Sequence, residues 1–119
     1  MEGKKMSMTM EDLNAYGANT AEGLARCMNN EAFYIRMVAM VLEDKNFEAL
    51  RAGMAMNDAH AVFEAAHALK GSTGNTALTP IYEPVCALTE LLRGKDAMAD
   101  GSDALVERIM AELERARSL

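Results

Sequence analysis

A histidine, a lysine and a glycine lie close together in one stretch of the chain, AAHALKGSTGN at residues 65–75. A neutral histidine imidazole has a free lone pair on one ring nitrogen and can act as a nucleophile, which makes His67 a candidate for that role. Lys70 follows about one helical turn later and can bring an ammonium group near the ring without covering it. These residue types suit a histidine that carries a transient dianion.

Gly71 lies one turn beyond His67, where any side chain would lean back over the imidazole. A glycine inside a helix costs about 1 kcal/mol relative to alanine. The apolar pattern continues past it to Thr73, so a turn is not needed there and folding alone does not explain the glycine. The alternative is that each residue is ordinary: a solvated histidine, a solvated lysine and a glycine that ends a helix.

Residues 59–75 are predicted to form one amphipathic helix that begins after Asn57 or Asp58 as its N-cap. Its apolar stripe is predicted to face the core and consists of Val62, Ala66, Leu69 and Thr73. A second stripe of small residues could be covered at close range by another helix, and it consists of Ala61, Ala65, Ala68 and Ser72. The remaining stripe is predicted to face outward and carries His60, Glu64, His67, Gly71 and Gly74.

The other helices are predicted from caps and helical spacing. Residues 10–28 should hold a short helix that Gly17 interrupts. The later predictions are a helix from Asn29 or Asn30 to about Leu42, a break at residues 43–46, and a short helix with Phe47, Leu50 and Met54 on one side. The next predicted helix is capped by Thr79, has Pro80 at its first position and tolerates Pro84 inside it. A hydrophilic connection follows at residues 93–103. The last predicted helix is capped by Ser102 or Asp103, and its inward residues are Leu105, Ile109 and Leu113.

The fold class predicted from this pattern is all-α, an antiparallel four-helix bundle with a short additional N-terminal helix. Half of the residues are apolar but only 5% are aromatic, and methionine occurs 11 times, so the core must be built mainly from aliphatic residues and methionine. Residues 1–10 lack periodicity and are expected to be a flexible tail. Residues 11–119 are expected to form the bundle.

Charge and cysteine usage exclude some classes of function. The formal net charge of −6 argues against binding to nucleic acid or to an anionic membrane surface, which both require a basic face. No apolar run is long enough for a membrane span or follows the first lysines as a secretion signal would. Cys27 and Cys86 are expected to be buried free thiols rather than a disulfide. A cytoplasmic protein is therefore expected.

The six residues HALKGS at positions 67–72 resemble the HxLKGS signature of histidine-containing phosphotransfer (HPt) domains, the small bundles that relay phosphoryl groups in two-component signalling. The resemblance extends over about residues 22–92 and plausibly the final helix. It implies that His67 accepts a phosphoryl group, that Lys70 neutralises its charge and that Gly71 gives access. Other positions on or near this face could have accessory roles, namely His60, Glu64, Ser72, Gly74 and Asn75. Ala77 departs from the family, which usually has glycine there.

The resemblance further implies a phosphorelay intermediate that takes a phosphoryl group from a receiver-domain aspartyl phosphate and passes it to another receiver. The expected partners are response-regulator receiver domains, a hybrid histidine kinase, or both, with a monomeric chain. The expected Mg²⁺ lies on the receiver, and the chain needs no cofactor of its own. An ATP-dependent kinase activity is not expected, because KGSTGN at residues 70–75 does not fit a P-loop. Tyr34 and Phe63 are candidate docking residues, with a place in the core as the equal alternative for each.

Two alternatives remain open. The first is a scaffold that keeps the bundle and binds receivers or kinases without transferring phosphate. The second is a metal-binding bundle, since Glu64 and His67 form an ExxH motif and His60 shares their stripe. A two-metal centre would require a second ExxH motif and further inward glutamates. The chain has only 2 histidines, both predicted to face outward.

Overall fold

The fold is known from a computed structural model that describes residues 8–119 of the chain. These residues form seven helices and no strand. The helices are α1 (Met10–Tyr16), α2 (Thr20–Arg26), α3 (Glu31–Leu42), α4 (Asn46–Ala55), α5 (Ala59–Asn75), α6 (Thr79–Leu92) and α7 (Ser102–Arg117). The all-α prediction is confirmed.

Four of the helices close into a bundle around one core. α5 packs against α4 on one side and α6 on the other, α6 also packs against α7, and α7 returns to contact α4. Only residues 56–58 join α4 to α5, and only residues 76–78 join α5 to α6. Connections this short between packed helices make neighbours run in opposite directions. The predicted helical bundle is confirmed, and its central helix is the one that carries His67.

The predicted helix that ends near Leu42 is α3, and the segment before it forms two short helices where the sequence predicted one additional N-terminal helix. Gly17 interrupts this segment, as predicted: it ends α1 in the left-handed conformation, with φ of 112°, and α2 begins at Thr20. Thr9 and Asp12 form a capping box at the start of α1. The predicted tail at residues 1–10 therefore overlaps this start at Thr9 and Met10, while residues 1–7 lie outside the described part of the chain.

Several helix ends agree with the sequence prediction, and two do not. Asn30 and Asp58 cap α3 and α5 as predicted, each accepting a backbone N–H with its side chain. Thr79 was expected to cap α6, but Leu78 is the N-cap because its buried position fixes the chain and its carbonyl already accepts backbone N–H groups of the first turn. The N-cap of α7 is Gly101 rather than Ser102 or Asp103, because the connection enters the helix through a residue in the left-handed conformation, with φ of 96°.

The interior of the last two helices follows the apolar pattern with one change. Pro84 lies inside α6 without ending it, as predicted. Ile109 and Leu113 are buried as predicted, but Leu105 is only partly buried and Val106 takes the core position beside it. α7 is thus rotated slightly from the orientation that the sequence suggested.

The core-facing side of α5 is confirmed. Its stripe of Val62, Ala66, Leu69 and Thr73 is completely shielded from solvent. Of the second stripe, Ala65 is buried, whereas Ala68 was expected to be covered and is exposed. α4 can approach this helix closely because Gly53 has no side chain: a Cβ there would lie 2.7 Å from Cγ2 of Val62.

Tyr34 is a core residue and not a docking residue, which corrects the prediction. Its ring is fully buried, and its hydroxyl donates a hydrogen bond of 2.8 Å to the carbonyl of Thr76 at the end of α5. Burial raises the pKa of Tyr34 to about 12. Gly23 of α2 lies directly against the ring, so a Cβ at position 23 would overlap it. Tyr34 therefore joins α2 and α3 to the helix that carries His67.

Cys27 and Cys86 are both free thiols, as predicted. Cys27 is buried, but Cys86 is partly exposed, so the expectation that both are buried is only half right. Within residues 8–119, none of the helices combines the length and the apolar character that crossing a membrane requires.

We expect Gly23→Ala to destabilise the fold by about 1 to 3 kcal/mol, because the new methyl group overpacks against a tyrosine ring that cannot move. Urea unfolding followed by circular dichroism would measure the loss. Gly71→Ala is the matched control, since nothing lies within 4 Å of its Cβ position. If both variants had the same stability, the close packing of Gly23 against Tyr34 would be contradicted.

Candidate functional site

The outward stripe of α5 is exposed as the sequence predicted. His60, Glu64, His67 and Gly71 all lie on the solvent side of the helix. Gly74 belongs to the same stripe but is partly covered, because the ring of Tyr82 from α6 lies over it: a Cβ on Gly74 would be 3.0 Å from Cε1 of that ring. The imidazole of His67 is thus presented to solvent from a helix whose opposite side is fixed in the core.

Nothing covers the helix surface one turn beyond His67. A Cβ built on Gly71 meets no atom within 4 Å, so packing does not require a glycine at this position. A helix with alanine there would be more stable by about 1 kcal/mol. The glycine therefore leaves open space beside the imidazole at a cost to the stability of the helix.

A cavity of about 590 Å³ opens beside His67 between α2, α5 and α6. Among its lining residues are five of the predicted site residues: His67, Lys70, Gly71, Gly74 and Asn75. The structure thus brings together most of the site that the sequence proposed. An anionic group attached to His67 would lie at the edge of this cavity, which Lys70 also lines.

The same cavity contains residues that sequence reasoning did not find. Glu22 and Arg26 of α2 line it and form an ion pair of 2.8 Å. Tyr82 of α6 lines it too, and a hydrogen bond with the Cys86 thiol raises the pKa of its hydroxyl. No local pattern could have identified these side chains, because only the packing of α2 and α6 on α5 brings them to His67.

A second set of neighbours of His67 lies outside the lining of this cavity. The ring of Phe63, one turn earlier on α5, has its centroid 5.8 Å from that of the imidazole, with the two planes inclined by 30°. The guanidinium carbon of Arg93 lies 5.5 Å from the Phe63 centroid. Phe63 is partly exposed beside His67, so it stays a candidate docking residue. Arg93 was assigned to a hydrophilic connection, but it directly follows α6 and reaches the site.

His60 and Glu64 line a different cavity from that of His67. Both line a smaller cavity of about 160 Å³ together with Lys95 and Asp96. The nearest acidic partner of His60 is Asp96, with 4.0 Å between Nε2 and Oδ1, and both side chains are largely exposed. Sharing a stripe on α5 therefore does not bring these two residues into the cavity of His67.

The metal-binding alternative is not supported by the direction of these side chains. Metal centres in bundles are built from residues that project into the core, whereas both histidines face solvent. Within the described residues 8–119, no group of three or more His, Cys, Asp and Glu side chains could hold a metal ion.

Ser72 is directed to its own helix rather than to the imidazole. Its hydroxyl donates to the carbonyl of Leu69 at 3.3 Å, and the side chain is partly buried. Such bonds to the preceding turn are common for serine inside helices. The Ser72 hydroxyl is thus bound to the backbone of α5, and this hydrogen bond does not support the suggested accessory role.

Ala77 ends α5 in a conformation that favours glycine. It follows the C-cap Thr76 with φ of 55°, and its N–H donates to the carbonyl of Gly74. The N–H of Leu78 donates to the carbonyl of Thr73, which completes a Schellman motif. Alanine thus keeps the helix end that glycine would give, with backbone strain as the cost.

Comparison with known protein families finds a match for most of the chain. The family described as Hpt domain matches residues 35–119, which include α4 to α7 and most of α3. Searches of the curated proteins and of the solved structures find no match to the chain. The matched segment contains His67 and both cavities, except for the two residues that α2 contributes to the larger one.

We expect Ala77→Gly to stabilise the protein by about 1 kcal/mol, because glycine adopts the left-handed conformation without steric strain. Urea unfolding would measure the difference. Ala68→Gly, at an exposed position inside α5, is the control and should destabilise by about 1 kcal/mol. An Ala77→Gly variant that lost stability to the same extent as the control would contradict the strain at Ala77.

Proposed function

The chain belongs to the Hpt domain family, and we propose that it is a phosphorelay intermediate that receives a phosphoryl group on His67 from a receiver-domain aspartyl phosphate and passes it to a second receiver. Hpt domains are phosphocarrier modules, not kinases, and act in two-component phosphotransfer with receiver domains or kinases. The observation that carries the proposal is the exposed imidazole of His67 at the edge of a cavity, with open space at Gly71.

In the proposed step, a ring nitrogen of His67 attacks the phosphorus of the aspartyl phosphate. The N–P bond forms while the bond between phosphorus and the aspartate oxygen breaks, and the electron pair of that bond stays on the carboxylate. The other ring nitrogen holds the proton of the neutral imidazole. Onward transfer reverses this step, with the aspartate carboxylate of a second receiver as the nucleophile.

The transition state for phosphoryl transfer is loose, so catalysis depends mainly on alignment and on neutralising charge. In the proposal, α5 supplies the alignment because its buried stripe fixes the helix that carries His67. Lys70 supplies a cation from the cavity that the phosphoryl group would enter. Asn75 and Gly74 line that cavity further along the helix and would act as accessory residues.

The partner would supply the remaining chemistry. We propose that Mg²⁺ is bound by the receiver and neutralises the phosphoryl group on its aspartate, so that this chain works without a cofactor of its own. On this proposal the chain has no ATP-dependent kinase activity, acts as a monomer and works in the cytoplasm. The free thiols of Cys27 and Cys86 are compatible with that reducing compartment.

We expect His67→Gln to abolish phosphorylation of the chain, because glutamine offers no nucleophilic ring nitrogen. Receiver domains would be phosphorylated with radiolabelled acetyl phosphate, desalted and mixed with each variant, and acid-labile label on the chain would be counted. His60→Ala is the matched control and should accept label at the native rate, since His60 lines the other cavity.

Three outcomes are distinguishable in this assay. Label on the native chain and on His60→Ala, but not on His67→Gln, supports the relay. Equal loss in both histidine variants would instead indicate a site that uses both rings. Receivers that bind the native chain without labelling it would contradict the relay and favour the scaffold.

We expect Gly71→Ala to separate stability from transfer. The variant should unfold at a higher urea concentration, because alanine favours the helix by about 1 kcal/mol and meets no atom. Its rate of phosphoryl acceptance should fall by about tenfold or more, because the methyl group stands where the receiver must approach the imidazole. An unchanged rate in the stabilised variant would show that Gly71 does not provide access.

A further inference from the structure

Arg93 makes a well-formed ion pair with Glu90, one turn earlier on α6. Its Nη2 lies 2.8 Å from Oε2 of the carboxylate, and its Nε lies 3.3 Å from each of the two oxygens. The pair is solvated, with about half of the Arg93 side chain and 61% of the Glu90 side chain exposed. Exposed ion pairs of this kind are weak and can be broken at little cost.

The Phe63 ring connects this ion pair to the candidate phosphoryl acceptor. The Arg93 guanidinium stacks on the ring at 5.5 Å, and the imidazole of His67 is the ring's other neighbour at 5.8 Å. Cations are attracted to the face of an aromatic ring, so Phe63 and Glu90 together hold the Arg93 guanidinium against the same ring that His67 contacts. Arg93 is therefore a cation one aromatic ring away from His67, and it comes from the end of α6 rather than from α5, which carries Lys70, or α2, which carries Arg26.

Glu90 interacts with both Arg93 and Lys70. Hydrogen bonds from Arg93 and then the Arg93 charge lower the pKa of the Glu90 carboxyl, and the charge of Lys70 lowers it further. The carboxylate thus binds Arg93 and is also attracted to Lys70, as a phosphoryl dianion on His67 would be. A dianion is the stronger competitor for a guanidinium, which binds phosphate and carboxylate with the same fork of donors.

We propose that Arg93 leaves Glu90 and binds the phosphoryl group when His67 is phosphorylated, so that the Glu90–Arg93 ion pair sets how readily His67 gives the group up. The inference rests on the proposed relay function. Arg93 is then a phosphoryl-binding residue, and Glu90 is a positioning residue that competes with the phosphoryl group for it. Without that competition phosphohistidine would be more stable and onward transfer less favourable.

The test is the equilibrium distribution of label between the aspartate of a receiver and His67, using a receiver that labels the native chain. Glu90→Gln frees Arg93 and should shift the label toward His67 by about threefold. Arg93→Gln removes the cation and should shift it toward the receiver by a similar factor. Arg93→Lys keeps the positive charge but lacks the two parallel N–H donors of a guanidinium, so its label ratio should lie between those of Arg93→Gln and the native chain.

Two further variants separate this account from a general charge effect. When Arg93 is absent, Glu90 has no cation for which it can compete with the phosphoryl group. The double variant Glu90→Gln, Arg93→Gln should therefore give the same label ratio as Arg93→Gln alone. Glu112→Gln breaks an ion pair of the same spacing with Arg115 on α7, which lines neither cavity, and should leave the ratio unchanged. Circular dichroism would verify that each variant is folded.

The outcomes distinguish the inference from the function on which it rests. If no receiver labels the native chain, the relay itself fails. If the native chain is labelled but Glu90→Gln and Arg93→Gln leave the ratio as it is, the ion pair does not set the transfer equilibrium and the inference is overturned. A shift in the same direction for both variants would also overturn it, because competition requires opposite signs.

Discussion

The burial of one stripe of α5 is the constraint on which the candidate site depends. Val62, Ala66, Leu69 and Thr73 are all shielded completely, and α4 and α6 hold the helix on either side. Since side chains on a helix have fixed angular positions, burying this stripe forces the opposite stripe outward. His67 is exposed because its helix cannot rotate, so the core itself orients the imidazole.

The sequence predicted the helices well wherever periodicity and caps are local. The bounds of α5, its Asp58 cap and its buried stripe all follow from residues within a few turns of one another.

Features that depend on packing between distant parts of the chain were not predictable from the sequence. Tyr34 looked equally suited to a surface or a core, and only its hydrogen bond to Thr76, 42 residues away, decides for the core. The starts of α6 and α7 were misplaced because the chain geometry before them, at Leu78 and Gly101, overrode the ordinary capping residues.

The same distinction applies to the candidate site. His67, Lys70, Gly71, Gly74 and Asn75 could be grouped from sequence because they lie on one helix, and they line one cavity. His60 and Glu64 were grouped with them by the same logic, but the chain after α6 forms a separate cavity around them. Arg26 and Arg93 were missed because only tertiary packing brings Arg26 to the cavity of His67 and Arg93 to the Phe63 ring. Periodicity predicts which residues share a face, but not which neighbouring helix covers each part of it.

The central claim is that the exposed ring of His67 is the phosphoryl acceptor of this Hpt domain. The most direct measurement is the nitrogen NMR spectrum of the 2 histidine side chains before and after addition of a phosphorylated receiver domain. The account predicts that one ring nitrogen of His67 shifts and couples to phosphorus, while the resonances of His60 stay where they were. Phosphorus coupling at His60, or binding of the receiver with neither ring phosphorylated, would contradict it.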